Sequence, residues 1–429
     1  MTTRADPAAL HRAGMKAVRR GRVAEGRAML ETAVAARPNA RALLADLAQV
    51  QLVSGDEAAA TETYRRALAV DPGFAAGWLN LGILQMRADR IDEAGDCFEC
   101  AIGIEPTMAD ALAGLGVVRQ RQHRLPEAAE ALARAVEAAP GDAEIRSNLG
   151  GVLHEMGEIE RAAEAFEAAL RIAPDRAALH THLGVLRHEA AGPEAGLAHY
   201  EAALRLTPGD ARTLAAKHAA LFALGRREDA ARIFDFPALI QTVEIPAPPG
   251  YPDLAAFNAA LAAHAETHPT LTMAPLGRTT RGGGQTGYLF GAESGPTVVL
   301  ERLIRDAIDA YFADPVRAGH PHGPRKPERS RIDAWATVLD SGGYQDPHIH
   351  PSGVLSGVYY PKVSDTGEAG AIEFGRPAAP FTLDAPEVMT VRPHPGLLVL
   401  FPSFVWHRTI PFEGTAKRIS IAFDLIPVD

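Results

Sequence analysis

The sequence predicts a multidomain protein with an N-terminal all-α solenoid and a C-terminal β jelly roll that has flanking helices. In the first half, prolines recur every 34 residues, at Pro38, Pro72, Pro106, Pro140, Pro174 and Pro208. Toward the end of the chain, short hydrophobic segments alternate with glycine and proline, which is typical of jelly-roll strands. We place the solenoid at residues 1–235 and the second domain at 236–429.

Other residue types share the 34-residue period. Small residues recur at Gly82, Gly116, Gly150 and Gly184 and at Ala67, Ala101, Ala135, Ala169 and Ala203, and large ones at Tyr64, Phe98, Leu132, Phe166 and Tyr200. Small residues let two antiparallel helices approach closely, a large side chain fills the gap to the next repeat, and proline ends the second helix. This pattern resembles the tetratricopeptide repeat. We count six repeats, the first degenerate at 5–38, and a capping helical segment at 209–235.

One position of the repeat bears on ligand binding. It is occupied in successive repeats by Asp46, Asn80, Gly114, Asn148 and His182. In some members of the repeat family, asparagines here line the concave face and hold an extended peptide backbone. Asn80 and Asn148 fit that pattern, whereas Gly114 and His182 break it. Solvated groove residues without a ligand are the alternative.

The second domain begins with loops and helices. The proline-rich segment 245–252 predicts a linker, and 254–267 and 298–312 have helical spacing. Segment 279–286 contains three successive glycines and predicts a tight loop. Strands are predicted at 332–339, 348–350, 355–360, 371–374, 388–392, 397–401 and 418–425.

Three histidines suggest a metal site. His348 and His350 are one residue apart in a segment rich in β-formers, and side chains at that spacing point to the same face of a strand. Pro347 and Pro351 flank the pair and favour extended geometry for the residues before them. His407 follows two further predicted strands and could close the site from across a barrel.

The last predicted strand offers a site for an anion. Its alternation places Arg418 and Ser420 on one face and Ile419 and Ile421 on the other. A fixed guanidinium and a hydroxyl together make a good clamp for a carboxylate. Tyr360 has a strand position that could line the same pocket, although ordinary barrel packing would also explain it.

This order of residues resembles the iron(II)/2-oxoglutarate-dependent dioxygenases, which are built on a double-stranded β-helix. Segments 343–351 and 355–360 look like the oxygenase subfamily with His-x-His-Pro and Ser-Gly-Val-Tyr-Tyr signatures, and 395–407 continues the match. The resemblance implies Fe(II) as cofactor, with 2-oxoglutarate and dioxygen as cosubstrates. It also implies metal ligands at His348 and His407, and 2-oxoglutarate binding at Arg418 and Ser420.

The third metal ligand is open at this point. Most of the superfamily has a carboxylate two residues after the first histidine, where this chain has His350. We favour a three-histidine site, because three neutral imidazoles leave Fe(II) with two positive charges that dianionic 2-oxoglutarate would neutralise. Alternatives are His348 and His407 with water, or a carboxylate from Asp346 or Glu373. Asp346 is disfavoured because it lies roughly 13 Å from His350 along an extended strand.

The expected activity is hydroxylation of a peptide or protein side chain held partly by the repeats. The alternatives are a small-molecule oxygenase whose repeats form a homodimer, a three-histidine dioxygenase that does not use 2-oxoglutarate, and a non-catalytic scaffold. A net charge of −10 provides no general attraction to nucleic acid or anionic membranes. The chain has no run of 18 apolar residues and no secretory signal at its start, so we expect a cytoplasmic protein.

Overall fold

The computed structural model describes residues 6–274, 279–363, 369–383, 385–413 and 417–428. The chain divides into two compact units, Met1–Pro174 and Asp175–Asp429. None of the helices in these described ranges is both long and apolar enough to cross a membrane.

The first unit is an array of antiparallel helix pairs. Its helices are α1 Pro7–Arg19, α2 Val23–Ala36, α3 Arg41–Val53, α4 Glu57–Val70, α5 Ala75–Arg87, α6 Ile91–Ile104, α7 Ala109–Arg121, α8 Leu125–Ala138, α9 Ala143–Glu155 and α10 Ile159–Ile172. The periodic prolines lie two residues beyond the second helix of each pair, as at Pro38 and Pro72. The predicted repeats of this unit are confirmed.

Glycine allows the close approach between helices that the period predicted. A Cβ atom added to Gly150 would lie 2.8 Å from the Phe166 ring. Phe98 sits between two glycines, since a Cβ at Gly82 or at Gly114 would come within 2.7 or 2.6 Å of its ring. The glycine that interrupts the asparagine column therefore has a packing reason, because any side chain there would collide with Phe98.

The second unit begins with the sixth repeat and continues into the barrel. Its helices are α11 Ala177–Ala191, α12 Pro193–Leu206, α13 Ala211–Ala223, α14 Arg227–Ala231, α15 Phe236–Leu239, α16 Leu254–Glu266, α17 Pro296–Ala313 and α18 Pro315–Gly319. Residues of α12 to α15 share one hydrophobic core with the sheet, including Leu214, Phe222, Phe374 and Phe401. The Trp406 indole also donates a hydrogen bond to the Ala215 carbonyl at 3.4 Å. The second compact unit therefore includes the last repeat, and the domain division at residue 235 stays a prediction from the sequence.

The barrel is one antiparallel sheet. Its strands are β1 Gln241–Glu244, β2 Thr272–Met273, β3 Thr280–Gln285, β4 Ser330–His348, β5 Leu355–Lys362, β6 Ile372–Phe374, β7 Met389–Val391, β8 Leu397–Pro402, β9 His407–Thr409 and β10 Arg418–Pro427. Their order is β1-β8-β5-β10-β4-β9-β6-β7, and β3 pairs with both β2 and β4. This curled antiparallel sheet with flanking helices confirms the predicted jelly-roll class.

The two faces of the sheet belong to two hydrophobic cores. Leu398 and Leu400 of β8 pack in the core that includes α16 and α17. Val399 and Phe401 face the core shared with the last repeat. The strand is continuously apolar because both of its faces are buried.

Two sequence predictions about strands were wrong, and three short strands were missed. Segment 279–286 is not a loop, because Thr280–Gln285 forms β3 against β4. A Cβ at Gly283 would lie 2.3 Å from the Val338 carbonyl oxygen, so this glycine permits close strand pairing. Segment 348–350 is not a separate strand, since β4 ends at His348. The short strands β1, β2 and β9 were missed.

Candidate metal centre

Three elements bring the predicted histidines together. His348 ends β4 and is the register partner of His407, the first residue of β9. His350 follows in the loop after β4 and is anchored by its amide, which donates to the Ser403 carbonyl at 2.9 Å. The ring nitrogens that the three residues offer lie within 4.8 Å of one another. This is the donor spacing of a shared metal ion.

The opposite nitrogen of each ring is held by an oxygen. His348 Nδ1 donates to the Asp346 carbonyl at 2.7 Å, and His407 Nδ1 donates to the Val405 carbonyl at 3.0 Å. His350 Nδ1 donates to Asp424 Oδ2 at 2.7 Å. A neutral imidazole carries one N–H, so each Nε2 then presents a lone pair. The arrangement fixes the tautomer that binds a metal through Nε2.

The Nε2 atoms lie so close together that their lone pairs repel one another when nothing lies between them. Those of His350 and His407 lie 3.2 Å apart. Burial, with the neighbouring histidines, lowers the pKa of His348 to about 4 and that of His407 well below its ordinary value. Both rings are therefore neutral near pH 7, and a cation among the three nitrogens would remove their mutual repulsion.

Asp424 of β10 connects His350 to Ser356 of β5 through hydrogen bonds. Its Oδ1 accepts a hydrogen bond from Ser356 Oγ at 2.6 Å, and Ser356 Oγ lies 2.8 Å from Ser403 Oγ. Trp335 stacks on His350 with ring centres 5.6 Å apart. The carboxylate and the indole together restrict rotation of the imidazole.

Arg418 is 1 % exposed and lies on the same face of β10 as Ser420. Its Nε donates to the Gly370 carbonyl at 3.0 Å, and its Nη1 lies 3.5 Å from Ser420 Oγ. Its guanidinium carbon is 5.0 Å from the centre of the Tyr360 ring. Within the described ranges, no carboxylate forms an ion pair with Arg418, and the Tyr360 hydroxyl is buried beside the guanidinium. Burial lowers the pKa of Arg418, because the charged form loses its hydration.

Two cavities share His348 and His350 as lining residues. A narrow inner cavity of about 30 Å³ reaches from the histidines to Arg418, Ser420 and Tyr360. A wider outer cleft of about 810 Å³ is also lined by His348 and His350. Trp335 and Gln345 line both spaces. The structure thus brings together all six residues that the sequence singled out.

The alternative carboxylates are engaged elsewhere. Asp346 forms an ion pair with Arg281, at 2.9 Å. Glu373 lies 2.7 Å from both Arg376 and Arg408. Among the described residues, the metal-binding cluster consists of the three histidines without either acid.

Sequence reasoning missed Asp424, Ser356 and Trp335. Asp424 could have been found, because the alternation that puts Arg418 and Ser420 on one face of β10 extends to it. Trp335 could not have been assigned, since its stacking on His350 depends on how the loop after β4 folds back.

Family models match both parts of the chain. Residues 333–424 match a model described as "Putative 2OG-Fe(II) oxygenase". Models described as "Tetratricopeptide repeat" match residues 11–73 and 119–186. A model of the cilia and flagella-associated protein 70 middle TPR-like domain matches residues 44–151.

Tetratricopeptide repeat proteins are among the solved structures that are similar to this chain. The TPR protein YrrB, whose title mentions an unusual peptide-binding site, is 24% identical with a TM-score of 0.40, covering 44% of this chain and 97% of its own. PilF of Pseudomonas aeruginosa is 20% identical with a TM-score of 0.43, covering 48% and 94%. A tetratricopeptide repeat protein from Parabacteroides merdae is 17% identical with a TM-score of 0.44, covering 53% and 91%.

No curated protein matches the chain. The periodic residues, the helix pairs and the family models agree on the first part of the chain, and the curled sheet and the match at residues 333–424 agree on the second. The chain carries tetratricopeptide repeats and, at residues 333–424, a match to the putative 2OG-Fe(II) oxygenase domain.

Proposed function

We propose that this protein is a non-haem Fe(II)/2-oxoglutarate-dependent dioxygenase whose metal ligands are His348, His350 and His407. The observation that carries the proposal is the convergence of three Nε2 atoms whose rings are each held through Nδ1. Imidazole nitrogens suit Fe(II), and three of them leave coordination positions for cosubstrates.

The inner cavity supports 2-oxoglutarate as cosubstrate. Arg418 would pair with the distal carboxylate, with Ser420 and the Tyr360 hydroxyl as neighbouring hydrogen-bonding groups. A buried guanidinium that lacks a carboxylate among the described residues is costly, and an anionic ligand would offset that cost. We expect the narrow inner cavity to widen when 2-oxoglutarate binds.

Fe(II) with 2-oxoglutarate and dioxygen would supply the oxidising chemistry, in which decarboxylation to succinate accompanies hydroxylation of a C–H bond. The protein's own residues position the reactants. The histidines would hold the metal, Arg418 would orient the cosubstrate, and the outer cleft would receive the substrate. Trp335 lies where it can shield the metal from water.

We further propose a peptide or protein substrate held partly by the repeats. Asn80 and Asn148 support this, because both are only partly buried at equivalent positions of α5 and α9. Self-association of the repeats into a homodimer, with a small-molecule substrate, is the second candidate. The cytoplasm is the proposed location.

The decisive experiment is anaerobic titration of the full chain with Fe(II) and 2-oxoglutarate, followed by exposure to air. We expect one equivalent of each to bind and succinate to form. Iron binding without 2-oxoglutarate binding would support a three-histidine dioxygenase of a different class. Failure to bind iron would contradict the proposal and favour a non-catalytic scaffold.

A further inference from the structure

We propose that Asp424 is a positioning residue of the metal centre, which holds His350 in its metal-binding orientation and supplies negative charge through that ring. The inference rests on the proposed function, because it assumes a metal on His350. It concerns a residue that coordinates nothing itself.

Asp424 is bonded at both oxygens. Oδ2 accepts from His350 Nδ1 at 2.7 Å, and Oδ1 accepts from Ser356 Oγ at 2.6 Å. Ser356 Oγ is in turn 2.8 Å from Ser403 Oγ. The backbone carbonyl of the same Ser403 accepts a hydrogen bond from the His350 amide. The carboxylate therefore cannot rotate away from the imidazole without breaking a buried network.

The charge of Asp424 is not balanced by a basic side chain. The residue is 8 % exposed, and among the described ion pairs its one partner is His350. A buried carboxylate is costly to desolvate unless a cation lies near it. A divalent metal on His350 Nε2 would provide that cation one imidazole ring away.

His350 differs in this respect from the other two histidines. Backbone carbonyls, which carry no net charge, hold the Nδ1 atoms of His348 and His407. Only at His350 does a carboxylate take that place, and His350 stands where most of the superfamily has a carboxylate ligand. A three-histidine coordination shell lacks the negative charge of a carboxylate ligand. The Asp424 carboxylate supplies that charge next to His350, on the Nδ1 side of its ring. A carboxylate hydrogen-bonded to a metal-bound histidine raises the basicity of that ligand.

The chain offers a matched control. Asp333 is the register partner of Asp424 on the neighbouring strand, and its carboxylate pairs with Arg331 at 2.9 Å. Asp333→Asn removes one negative charge from nearly the same place but breaks no contact with a histidine. Comparison of Asp333→Asn with Asp424→Asn separates two effects on Fe(II) binding. One is transmitted through the Asp424–His350 hydrogen bond, and the other follows from the loss of a nearby negative charge.

The test measures metal binding by the full chain, under anaerobic conditions and without substrate. Fe(II) affinity, the Fe(III)/Fe(II) midpoint potential and the visible spectrum of the Co(II)-loaded protein are compared for wild type, Asp424→Asn, Ser356→Ala and Asp333→Asn. Asp424→Asn keeps an oxygen to accept from Nδ1 and removes the charge. Ser356→Ala keeps the charge and removes one restraint on it.

We expect Asp424→Asn to weaken Fe(II) binding about 10- to 100-fold. Its midpoint potential should rise, because loss of negative charge destabilises Fe(III) more than Fe(II). Ser356→Ala should weaken binding less and shift the Co(II) spectrum, and Asp333→Asn should stay within about twofold of wild type.

Equal Fe(II) affinity and potential in Asp424→Asn and wild type would overturn the inference while leaving the proposed function intact. Equal losses in Asp424→Asn and Asp333→Asn would also overturn it. A wild-type chain that binds no Fe(II) would overturn both. If Asp424→Asn does not fold, Ser356→Ala with unchanged affinity and Co(II) spectrum would contradict the inference.

Discussion

At the residue scale, the candidate metal centre depends on the oxygen atom that accepts a hydrogen bond from Nδ1 of each histidine. His348 and His407 are oriented by backbone carbonyls that β4 and the turn before β9 provide. His350 lies outside any strand and needs side chains instead, namely Asp424 and Trp335. Its orientation is therefore the one most sensitive to mutation elsewhere.

We predict that His348→Ala or His407→Ala abolishes stoichiometric Fe(II) binding. His350→Ala should weaken binding strongly, and His350→Asp should recover part of it by restoring a carboxylate ligand. Isothermal titration under anaerobic conditions measures the affinities. His394→Ala is the control, because that exposed histidine contacts only Glu244 in the described ion pairs. Unchanged binding by His350→Ala would favour the site of two histidines and water.

We predict that Arg418 anchors 2-oxoglutarate. A buried guanidinium paired with a carboxylate contributes roughly 2–4 kcal/mol, so Arg418→Ala should weaken 2-oxoglutarate binding on the order of 30- to 1000-fold. Fe(II) binding should survive, and Arg418→Lys should recover part of the affinity. If Arg418→Ala stays within about twofold, another cation such as Arg408 or Arg392 would be the anchor.

At the scale of elements, two adjacent glycines in α9 have opposite roles. A Cβ on Gly150 would meet the Phe166 ring at 2.8 Å, whereas a Cβ on Gly151 would have no heavy atom within 4 Å. The first permits helix packing, and the second only weakens the helix.

We predict that Gly150→Ala lowers the free energy of unfolding by about 1–3 kcal/mol through overpacking. Gly151→Ala should raise it by about 0.5–1 kcal/mol, because alanine loses less backbone entropy in a helix than glycine. Denaturant unfolding followed by circular dichroism measures both. A loss of stability in Gly151→Ala would show that packing alone does not explain the difference.

Helix α13 carries a buried histidine, His218, which stacks on Phe234 with ring centres 3.7 Å apart. Burial lowers its pKa to about 3. An unfolded histidine titrates near 6.5, so stability is fully present above that pH and declines as pH falls, because the unfolded state takes up the proton.

We predict that His218→Leu reduces this acid sensitivity. Between pH 6.5 and 5, the His218 contribution should fall by roughly 2 kcal/mol in wild type and be absent in the variant. Thermal unfolding at pH 7.5 and 5 measures the difference, with His394→Leu as an exposed control. Equal losses of Tm in wild type and His218→Leu would contradict the prediction.

At the scale of the whole molecule, the capping segment that follows the sixth repeat shares its core with the barrel. Ala215, Phe222 and Phe234 contribute to the core that also contains Trp406. A chain cut at residue 236 would expose the barrel side of this core to water.

We predict that residues 175–429 form a soluble protein that binds Fe(II) and 2-oxoglutarate, whereas residues 236–429 aggregate. Gel filtration with light scattering, followed by metal titration, measures both. A soluble, iron-binding 236–429 fragment would show that the barrel folds without the last repeat. If residues 175–429 process the native substrate with the kcat/KM of the full chain, the first five repeats do not hold substrate. Lower activity that accompanies loss of a dimer would indicate assembly instead.

The sequence alone predicted the repeat, the β class of the second domain and six residues that line the inner cavity of the candidate site. Periods of 34 residues in the array and two residues in β10 are local consequences of helix and strand geometry, so they can be read without coordinates. The His-x-His spacing and the Arg418–Ser420 alternation were visible for the same reason.

Only the tertiary structure decided three other features. Successive glycines are compatible with both a free loop and a closely paired strand. The role of the glycines in 280–285 therefore depends on whether a partner strand is present, and β4 is that strand. The domain boundary depends on which apolar faces meet, and α13 is apolar whether it caps an array or packs on a barrel. The Asp424–His350 contact joins residues 74 positions apart, and no local periodicity encodes a pairing that distant strands create.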